Sequence, residues 1–481
     1  MKQEIGLLVV FLLVFLYDLF APRKVVNAET GEKAVAGTTG LVIALFAVYT
    51  VYCFICAIPK VEISVFGGMY ETSAVCATIK NILNVGTLIV LIQASKWASS
   101  DLQIMRRAEF YELMLVTLFG MFLMISARHF LVFVIGLECA SLPLAAMVAF
   151  DKKKYESHEA AVKYLFTAVF SSAVFMLGLP FVYGLTGSLY FNVIASAAGA
   201  GSGLLVIALA FVMAGVGFKL SLVPFHLWTA DVYQGAPTTV TSYLSVISKG
   251  ATAFAFLVVM AQAFGQYYSE VWEWMLYALI ILTIIIGNLF AIRQRNMKRF
   301  LAFSSVSQAG YIMLGVIGMN SMSAAALIFY VLVYIFSNLA AFGVIQSIEN
   351  RSGMVSIDAY KGLSKTNPKL ALTMMLAMFS LAGIPPFAGF FSKFFIFTGA
   401  LNQGSTAMYV LVLIALINTI ISLYYYLLVV KAMYISTDPC PVENYRSACS
   451  ERVGLIITVA GILVLGIVSC FYNSILSVCG L

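Results

Sequence analysis

The chain has 481 residues, of which 62% are hydrophobic and only 10% are charged. Because a soluble domain carries about 25% charged residues, this composition excludes an ordinary soluble protein and predicts a chain embedded in lipid. The net charge of +7 and the eight cysteines indicate neither a nucleic-acid partner nor a metal site. The basic residues lie mostly in loops between apolar segments, and no second cysteine pair or histidine stands at metal-ligand spacing.

Apolar segments of membrane-spanning length recur along the chain. A span needs about 20 apolar residues to cross ~30 Å of hydrocarbon, and the first segment lacks the basic start and small-residue cleavage site of a signal peptide. We predict an all-α polytopic membrane domain of about fourteen transmembrane helices. The predicted spans are 4–21, 39–58, 73–95, 110–127, 129–150, 159–184, 203–229, 238–263, 272–292, 299–318, 323–348, 369–400, 406–436 and 453–476.

Basic residues between these helices fall on one face of the predicted membrane domain. Of the 28 Lys and Arg residues, 20, including Lys298, lie in loops after odd-numbered helices, and three (Lys2, Lys60 and Arg128) lie on the opposite side. We call the richer side the basic face. Because basic loops stay on the cytoplasmic side, both termini are predicted to face away from the cytoplasm, in a bacterial inner membrane. Basic loops are also expected to contact lipid headgroups.

Five lysines and one glutamate are left inside the predicted spans. They are Lys80, Lys163, Lys219, Lys249, Lys393 and Glu138. A charge at the bilayer centre costs ~2.5–3.5 kcal/mol, and intramembrane ionisable residues typically mark an ion or proton path. Lys80, near the start of helix three, is expected to snorkel to the interface. The others are candidate proton-transfer residues, with Glu138 and Lys163 as a pair.

Prolines interrupt the predicted helices seven and twelve beside two of these lysines. They are Pro224 and Pro237 after Lys219, and Pro385 and Pro386 before Lys393. Proline removes a backbone donor, and in a bilayer the freed carbonyls must be satisfied by protein or water. The breaks therefore predict hydrated sites. His226 and Asp231, next to the first break, are either structural or candidates for proton uptake.

The two breaks lie five helices apart, which predicts an internal repeat. An FLxF pattern recurs at positions 130 and 300, Phe-Ser recurs at 170 and 336, and Glu138 then aligns with Gln308. Because five is an odd number, successive units have opposite topology. We predict N-terminal helices (1–109), two inverted five-helix units of helices 4–8 (110–263) and helices 9–13 (272–436), and a last helix (453–476). In this alignment the second unit has lost the acid.

Three runs of sequence in these regions resemble a known family. FKLSLVPFHLWTADVYQGAPTTVTSYLSVISK, KRFLAFSSVSQAGY and SLAGIPPFAGFFSKFFIF are similar to the antiporter-like membrane subunits of proton-pumping NADH–quinone oxidoreductase, respiratory complex I. DVYQGAP is the form expected of the subunit N type. The resemblance covers helices four to thirteen. Ala230 and Gln308 depart from the family's usual Pro and His.

The resemblance implies that the chain translocates protons, driven by electron transfer elsewhere in a complex. It implies roles for Glu138 as the helix-five acid, Lys163 as the helix-six lysine, Lys219 as the helix-seven lysine, Lys249 as the central lysine and Lys393 as the helix-twelve lysine. NADH, FMN, iron–sulfur clusters and quinone are expected in other subunits, with no cofactor in this chain. Neighbouring antiporter-like and small membrane subunits, and lipid, are the expected partners.

Three alternatives stay open at this point. The same fold serves subunits of multi-subunit Na⁺/H⁺ antiporters and of membrane-bound hydrogenases. A plastid or cyanobacterial relative takes electrons from ferredoxin. A non-transporting scaffold is a different class, and it predicts that the buried lysines can be replaced without loss.

Overall fold

The computed structural model describes residues 1–26, 33–59, 61–100, 103–197, 203–267, 272–468 and 470–480. Within these ranges, thirteen helices are long and apolar enough to cross a membrane. Helices one to six are Lys2–Phe20, Thr38–Cys56, Ala74–Ala98, Arg107–Ser126, Phe130–Val148 and Tyr155–Thr186. Helix seven begins as Gly203–Leu220, and helices eight to eleven are Thr238–Gln262, Glu273–Ile292, Met297–Ile317 and Ser321–Ser352. Helices thirteen and fourteen are Thr406–Tyr434 and Cys449–Ile467.

Helices seven and twelve are both broken, as predicted. Helix seven stops at Leu220 and resumes as Leu227–Gly235, with Pro224 in the gap. Helix twelve consists of Pro368–Ala382 and Ala388–Leu401, with Pro385 and Pro386 between them. Pro237 separates the second half of helix seven from helix eight. Counted with helix twelve, the thirteen long helices make the predicted fourteen and confirm the all-α class.

Short elements occupy several of the connections. Strands β1 (Arg23–Val26) and β2 (Lys33–Val35) form an antiparallel hairpin, as do β3 (Ile63–Val65) and β4 (Tyr70–Thr72). Short helices cover Phe191–Ser196, Leu363–Thr366 and Cys470–Val478, and 3₁₀ turns cover Gly265–Tyr267 and Ile357–Tyr360. Lys60, counted above in the charge pattern, lies outside the described residues.

Several helix ends differ from the predicted ones. Helix fourteen ends at Ile467, and the rest of its predicted span is the separate helix Cys470–Val478. Helix ten begins two residues before its predicted start, and helix eleven continues four residues past its predicted end. These differences arise because charged residues in a terminal turn look like loop in a hydropathy pattern. They bring Lys298 and Glu349 inside helices.

Helices eight, ten and eleven form the interior of the bundle, whereas helices one, two, six and thirteen expose apolar faces to the lipid. Glycines allow the helix pairs around this interior to approach closely. A Cβ atom on Gly120 of helix four would lie 2.5 Å from the backbone N of Ala140, and one on Gly287 of helix nine would lie 2.6 Å from that of Ser307. Small residues at contacts are the usual means of packing helices in lipid. The polar interior is therefore surrounded by tightly packed pairs.

The two glycine contacts are also equivalent in the predicted repeat, because their residues lie 167 positions apart. The caps of helices five and ten show the same spacing. His129 forms a backbone bridge to Tyr190, and Asn296 forms one to Ser356. These equivalences support two inverted units, which stay a prediction.

The structural spacing corrects one alignment made from sequence. Glu138 and Gln308 lie 170 positions apart, so they are three residues out of register. Ser305 takes the place of Glu138, and Gln308 takes the place of Ser141. The FLxF pattern could not fix this register, because a shift of three or four residues returns a helix to the same face. In the predicted repeat, the second unit then has a serine where the first has its acid.

Candidate proton-translocation site

Lys219 lies two residues before the break in helix seven and is 4% exposed. Its Nζ donates to Ser141 Oγ at 2.6 Å and to Tyr164 Oη at 3.2 Å. Ser141 lies three residues after Glu138 on helix five, so the two side chains share a face. The neutral hydroxyl of Ser141 therefore contacts the Lys219 ammonium group, and the Glu138 carboxyl lies one helical turn from Ser141.

Glu138 is half-buried, and its Oε1 atom is enclosed without a hydrogen-bond partner. The predicted pair of Glu138 with Lys163 is wrong. The Nζ of Lys163 instead lies 2.7 Å from both Glu159 and Asp231. The reason is helix rotation, because Lys163 lies on an outward turn of helix six and its side chain is 42% exposed.

Asp231 sits between two cations at the end of helix seven. Its Oδ2 accepts from Lys163 and its Oδ1 accepts from Arg299 Nη1 at 2.6 Å. Opposite charges at this distance favour the ionised carboxylate. This geometry favours the structural reading of Asp231 over a role as a proton acceptor at neutral pH.

Lys249 is 2% exposed at the centre of the bundle. It follows a π-helical turn, Leu244–Ser248, within helix eight, a distortion that is frequent at functional sites. Its Nζ donates to Ser305 Oγ at 2.7 Å and to the Ser305 carbonyl at 3.2 Å, and it lies 5.7 Å from the ring centroid of Tyr233. Ser305, the counterpart of Glu138 in the predicted repeat, is thus the partner of the central lysine.

Lys393 uses the break in helix twelve directly. Its Nζ donates to the carbonyls of Leu381 and Ala382 at 3.0 and 2.9 Å. These carbonyls belong to the last turn before the break and have lost their helical donors. Gln308 Nε2 reaches the same Leu381 carbonyl at 3.4 Å. A small cavity beside Lys393 offers about 10 Å³ to the centre of a water molecule, which is room for roughly one water.

Several polar atoms around these lysines are buried without a hydrogen-bond partner. They are both ring nitrogens of His226 and the hydroxyls of Ser221, Thr229, Ser248, Ser307, Tyr311 and Tyr334. His226 and Ser221 lie in the break of helix seven. Buried polar groups without a protein partner are normally satisfied by ordered water. The interior around the lysines therefore has the polar lining that a hydrated path requires.

The prediction that Lys80 snorkels to the interface is wrong. Lys80 is fully buried, and its Nζ donates to Glu4 Oε1, Tyr70 Oη and Ser126 Oγ at 2.6, 3.1 and 2.6 Å. Sequence reasoning overlooked Glu4 because it lies in the first turn of helix one, where a charged residue is not unusual. The hydroxyl partners Ser141 and Ser305 were also missed, since serine carries no hydropathy signal in a span.

Lys298, which is buried, and Glu349, which is partly buried, are further charges that the sequence pattern assigned to loops. Lys298 is 3% exposed, and its Nζ lies 3.4 Å from Glu349 Oε1. The sequence signal that could have placed Lys298 inside helix ten is the run KRFLAFSS, because Lys298 directly precedes its helix-forming residues.

Within the described residues, no group of three His, Cys, Asp or Glu side chains could hold a metal ion.

Enclosed lysines beside broken helices, in a bundle of fourteen spans, define an ion-translocating membrane protein of the antiporter-like type. Residues 127–422 match the family described as NADH:quinone oxidoreductase/Mrp antiporter, TM, and the chain belongs to this family. It is 50% identical to NADH-quinone oxidoreductase subunit N of Phocaeicola vulgatus over 474 residues, which are 98% of this chain and 97% of that protein.

Solved structures show the same fold. A chain of respiratory complex I from Thermus thermophilus with bound aureothin is similar at 30% identity and a TM-score of 0.81, over 96% of both chains. A chain of the Mrp complex from Dietzia sp. DQ12-45-1b is similar at 20% identity and a TM-score of 0.84, over 99% of this chain and 96% of that one. The second likeness concerns the fold alone.

Proposed function

We propose that this chain is the antiporter-like subunit N of a proton-translocating NADH–quinone oxidoreductase, and that its buried lysines carry the protons. The observation that supports this most is the set of partners of Lys219, Lys249 and Lys393. Each ammonium group is enclosed and bonds only to hydroxyls or carbonyls in the described part of the chain. A buried lysine without a carboxylate partner can exist neutral or charged, which a proton carrier requires.

The proton path follows the order of these sites. Glu138, one turn from Ser141, is placed to act on Lys219 when that lysine is charged. Lys249 donates to Ser305 of helix ten, and Gln308 of helix ten donates to the Leu381 carbonyl that also accepts from Lys393. Movement of helix ten would therefore change the surroundings of both. We assign His226, in the break of helix seven, to the approach from the basic face into the first unit, with Lys163 and Asp231 as an ion pair that positions the end of helix seven beside it.

The chain performs no bond-making chemistry in this proposal. NADH, FMN, iron–sulfur clusters and quinone act in other subunits, and the neighbours of this chain are other antiporter-like and small membrane subunits and lipid. The basic face is cytoplasmic in a bacterial inner membrane. The 50% identity to a subunit N over nearly the whole chain supports this over the Na⁺/H⁺ antiporter and hydrogenase alternatives.

Lys219→Ala tests the proposal in the complete complex. NADH-driven acidification of inverted membrane vesicles should fall, because the first unit loses its proton carrier, while the complex still assembles on native gels. Lys369→Ala, which removes an exposed lysine of the basic face, is the control and should pump normally. Normal pumping by an assembled Lys219→Ala complex would rule out the assigned role.

A further inference from the structure

A second group of charges, which includes the buried Lys298, lies at the basic face between helices eight, ten and eleven. Glu349 of helix eleven accepts a hydrogen bond from Thr238, the first residue of helix eight, and lies 3.4 Å from Lys298 of helix ten. Lys298 also donates to the carbonyl of Ala236 at 3.0 Å. Lys154, whose side chain is 55% exposed, lies 3.7 Å from Glu349. The group therefore connects a solvent-exposed ammonium with a carboxylate that is 16% exposed.

Helix eight carries hydroxyls inward from this group. From Thr238 they follow at Ser242, Ser245 and Ser248, and the next residue is Lys249. Thr238 and Lys249 are eleven residues apart, which is about 16 Å along a helix. The hydroxyl of Ser248 is buried without a partner. Successive hydroxyl-bearing residues are three or four positions apart, which is about 4.5–6 Å along the axis of helix eight. A gap of this size is one that a bridging water molecule would fill.

Helix eleven runs antiparallel along this row. Glu349 contacts Thr238 at the basic face, and Asn338, eleven residues earlier on helix eleven, donates at 3.3 Å to the Oγ of Ser245, seven residues after Thr238 on helix eight. The two contacts lie on the same pair of helix faces, so the row of hydroxyls runs along the seam between helices eight and eleven. The row ends at Lys249, where the π-helical turn widens helix eight.

We propose that Glu349, paired with Lys298, is a proton-uptake site of the basic face that supplies Lys249 along the hydroxyl row of helix eight. This proposal rests on the proposed function of the chain. The carboxylate takes a proton from water at the basic face, and Lys298 loses its ion pair while the proton is bound. The proton then passes through water held by the hydroxyls to neutral Lys249, which restores the Glu349 carboxylate.

The uptake site is separate from the Asp231 group. Asp231 is held between Lys163 and Arg299, whereas Glu349 faces Lys298, Lys154 with its partner Asp151, and Tyr360 from the turn after helix eleven. A cluster of charges with only a structural role would not require hydroxyl groups leading from it toward the centre of the bundle. A proton path does require them, and the hydroxyl row of helix eight runs from Thr238 to Lys249.

Glu349→Gln tests the uptake site in inverted vesicles of the complete complex. Protons pumped per NADH are measured as the pH of the medium is raised, with uncoupled NADH oxidation and assembly measured in parallel. Loss of a positioned proton donor slows transfer by roughly a hundredfold, so the variant should lose this subunit's share of pumped protons, most clearly at high pH. Glu349→Asp should restore pumping, because it keeps the carboxyl group.

Asp358→Asn is the matched control, since Asp358 is an acid of the same face that is 70% exposed and paired with Lys361. It should match the wild type. If Glu349→Gln keeps the wild-type ratio and pH profile while Lys219→Ala loses pumping, the uptake site is wrong and the proposed function stands. If both variants pump normally, the proposed function itself is wrong. If Glu349→Gln fails to assemble, Ser245→Val decides, and a normal ratio there overturns the uptake path.

Discussion

At the scale of single residues, the hydrogen-bond partners of each buried ammonium group distinguish Lys80 from the lysines that we propose to carry protons. An ammonium group has three N–H donors. Those of Lys80 are all used, one of them on the Glu4 carboxylate, which holds the group charged. Lys219 and Lys393 each have two neutral acceptors, which leaves one donor for water. Burial alone does not make a lysine a proton carrier, because its acceptors decide whether it can release a proton.

Lys249→Arg tests this distinction at the central lysine. Arginine keeps the positive charge but does not release its proton in proteins, so NADH-driven pumping should be lost while the complex assembles. Lys369→Arg is the control, because it makes the same change at an exposed position. Proton pumping and NADH oxidation are measured in the same vesicles. Wild-type pumping in assembled Lys249→Arg would mean that Lys249 is structural.

At the scale of elements, the Lys80 site joins helix one, helix three, the end of helix four and strand β4 through Glu4, Ser126 and Tyr70. Breaking one partner of a buried ion pair costs about 3–5 kcal/mol, whereas replacing both by apolar residues is often neutral. Glu4→Gln should therefore lower the thermal stability of the purified complex. The double variant Glu4→Met with Lys80→Met should recover most of it.

Thermal unfolding of the complex, with pumping per assembled complex measured alongside, checks this prediction. Pumping should stay normal in both variants, because the Lys80 site lies outside the proposed path. A large loss of pumping by stable, assembled Glu4→Gln would instead place Lys80 among the working lysines.

The break of helix twelve depends on Gly383, whose φ of 88° is a left-handed conformation. An added Cβ atom would lie 3.0 Å from Lys393 Cδ. Gly383→Ala should therefore cost roughly 1–2 kcal/mol in backbone strain and also displace Lys393 from its two carbonyls, so that pumping falls. Gly404→Ala is the control, because Gly404 has a φ of 75° with open space around it. If both variants pump equally well in vesicles, the position of Lys393 is not critical.

At the scale of the whole molecule, the polar interior of helices eight, ten and eleven lies inside a shell of apolar helix faces, and the basic loops predict how the molecule is oriented in the membrane. The predicted topology can be measured with reporter fusions. Alkaline phosphatase fused after helix fourteen should be active, because that end is predicted to face away from the cytoplasm. The same enzyme fused after Gly353, in the loop that follows helix eleven, should be inactive. Activities in the reverse order would invert the assignment of the basic face.

The sequence by itself determined the membrane class, the fourteen spans, the two breaks and the inventory of charges within predicted spans. These features are local, because hydropathy and proline act on the segment that contains them. Lys219, Lys249 and Lys393 could be identified from the sequence for this reason.

Only the tertiary structure decided which groups those charges meet. Lys163 faces Asp231 rather than Glu138, Lys80 is enclosed, and Ser305 is the hydrogen-bond partner of Lys249. One residue turns a helix by about 100°, so small errors in rotation or register change every partner. The Lys298–Glu349 pair was missed for a related reason. The predicted start of helix ten and the predicted end of helix eleven both excluded these residues from the helices that hold them.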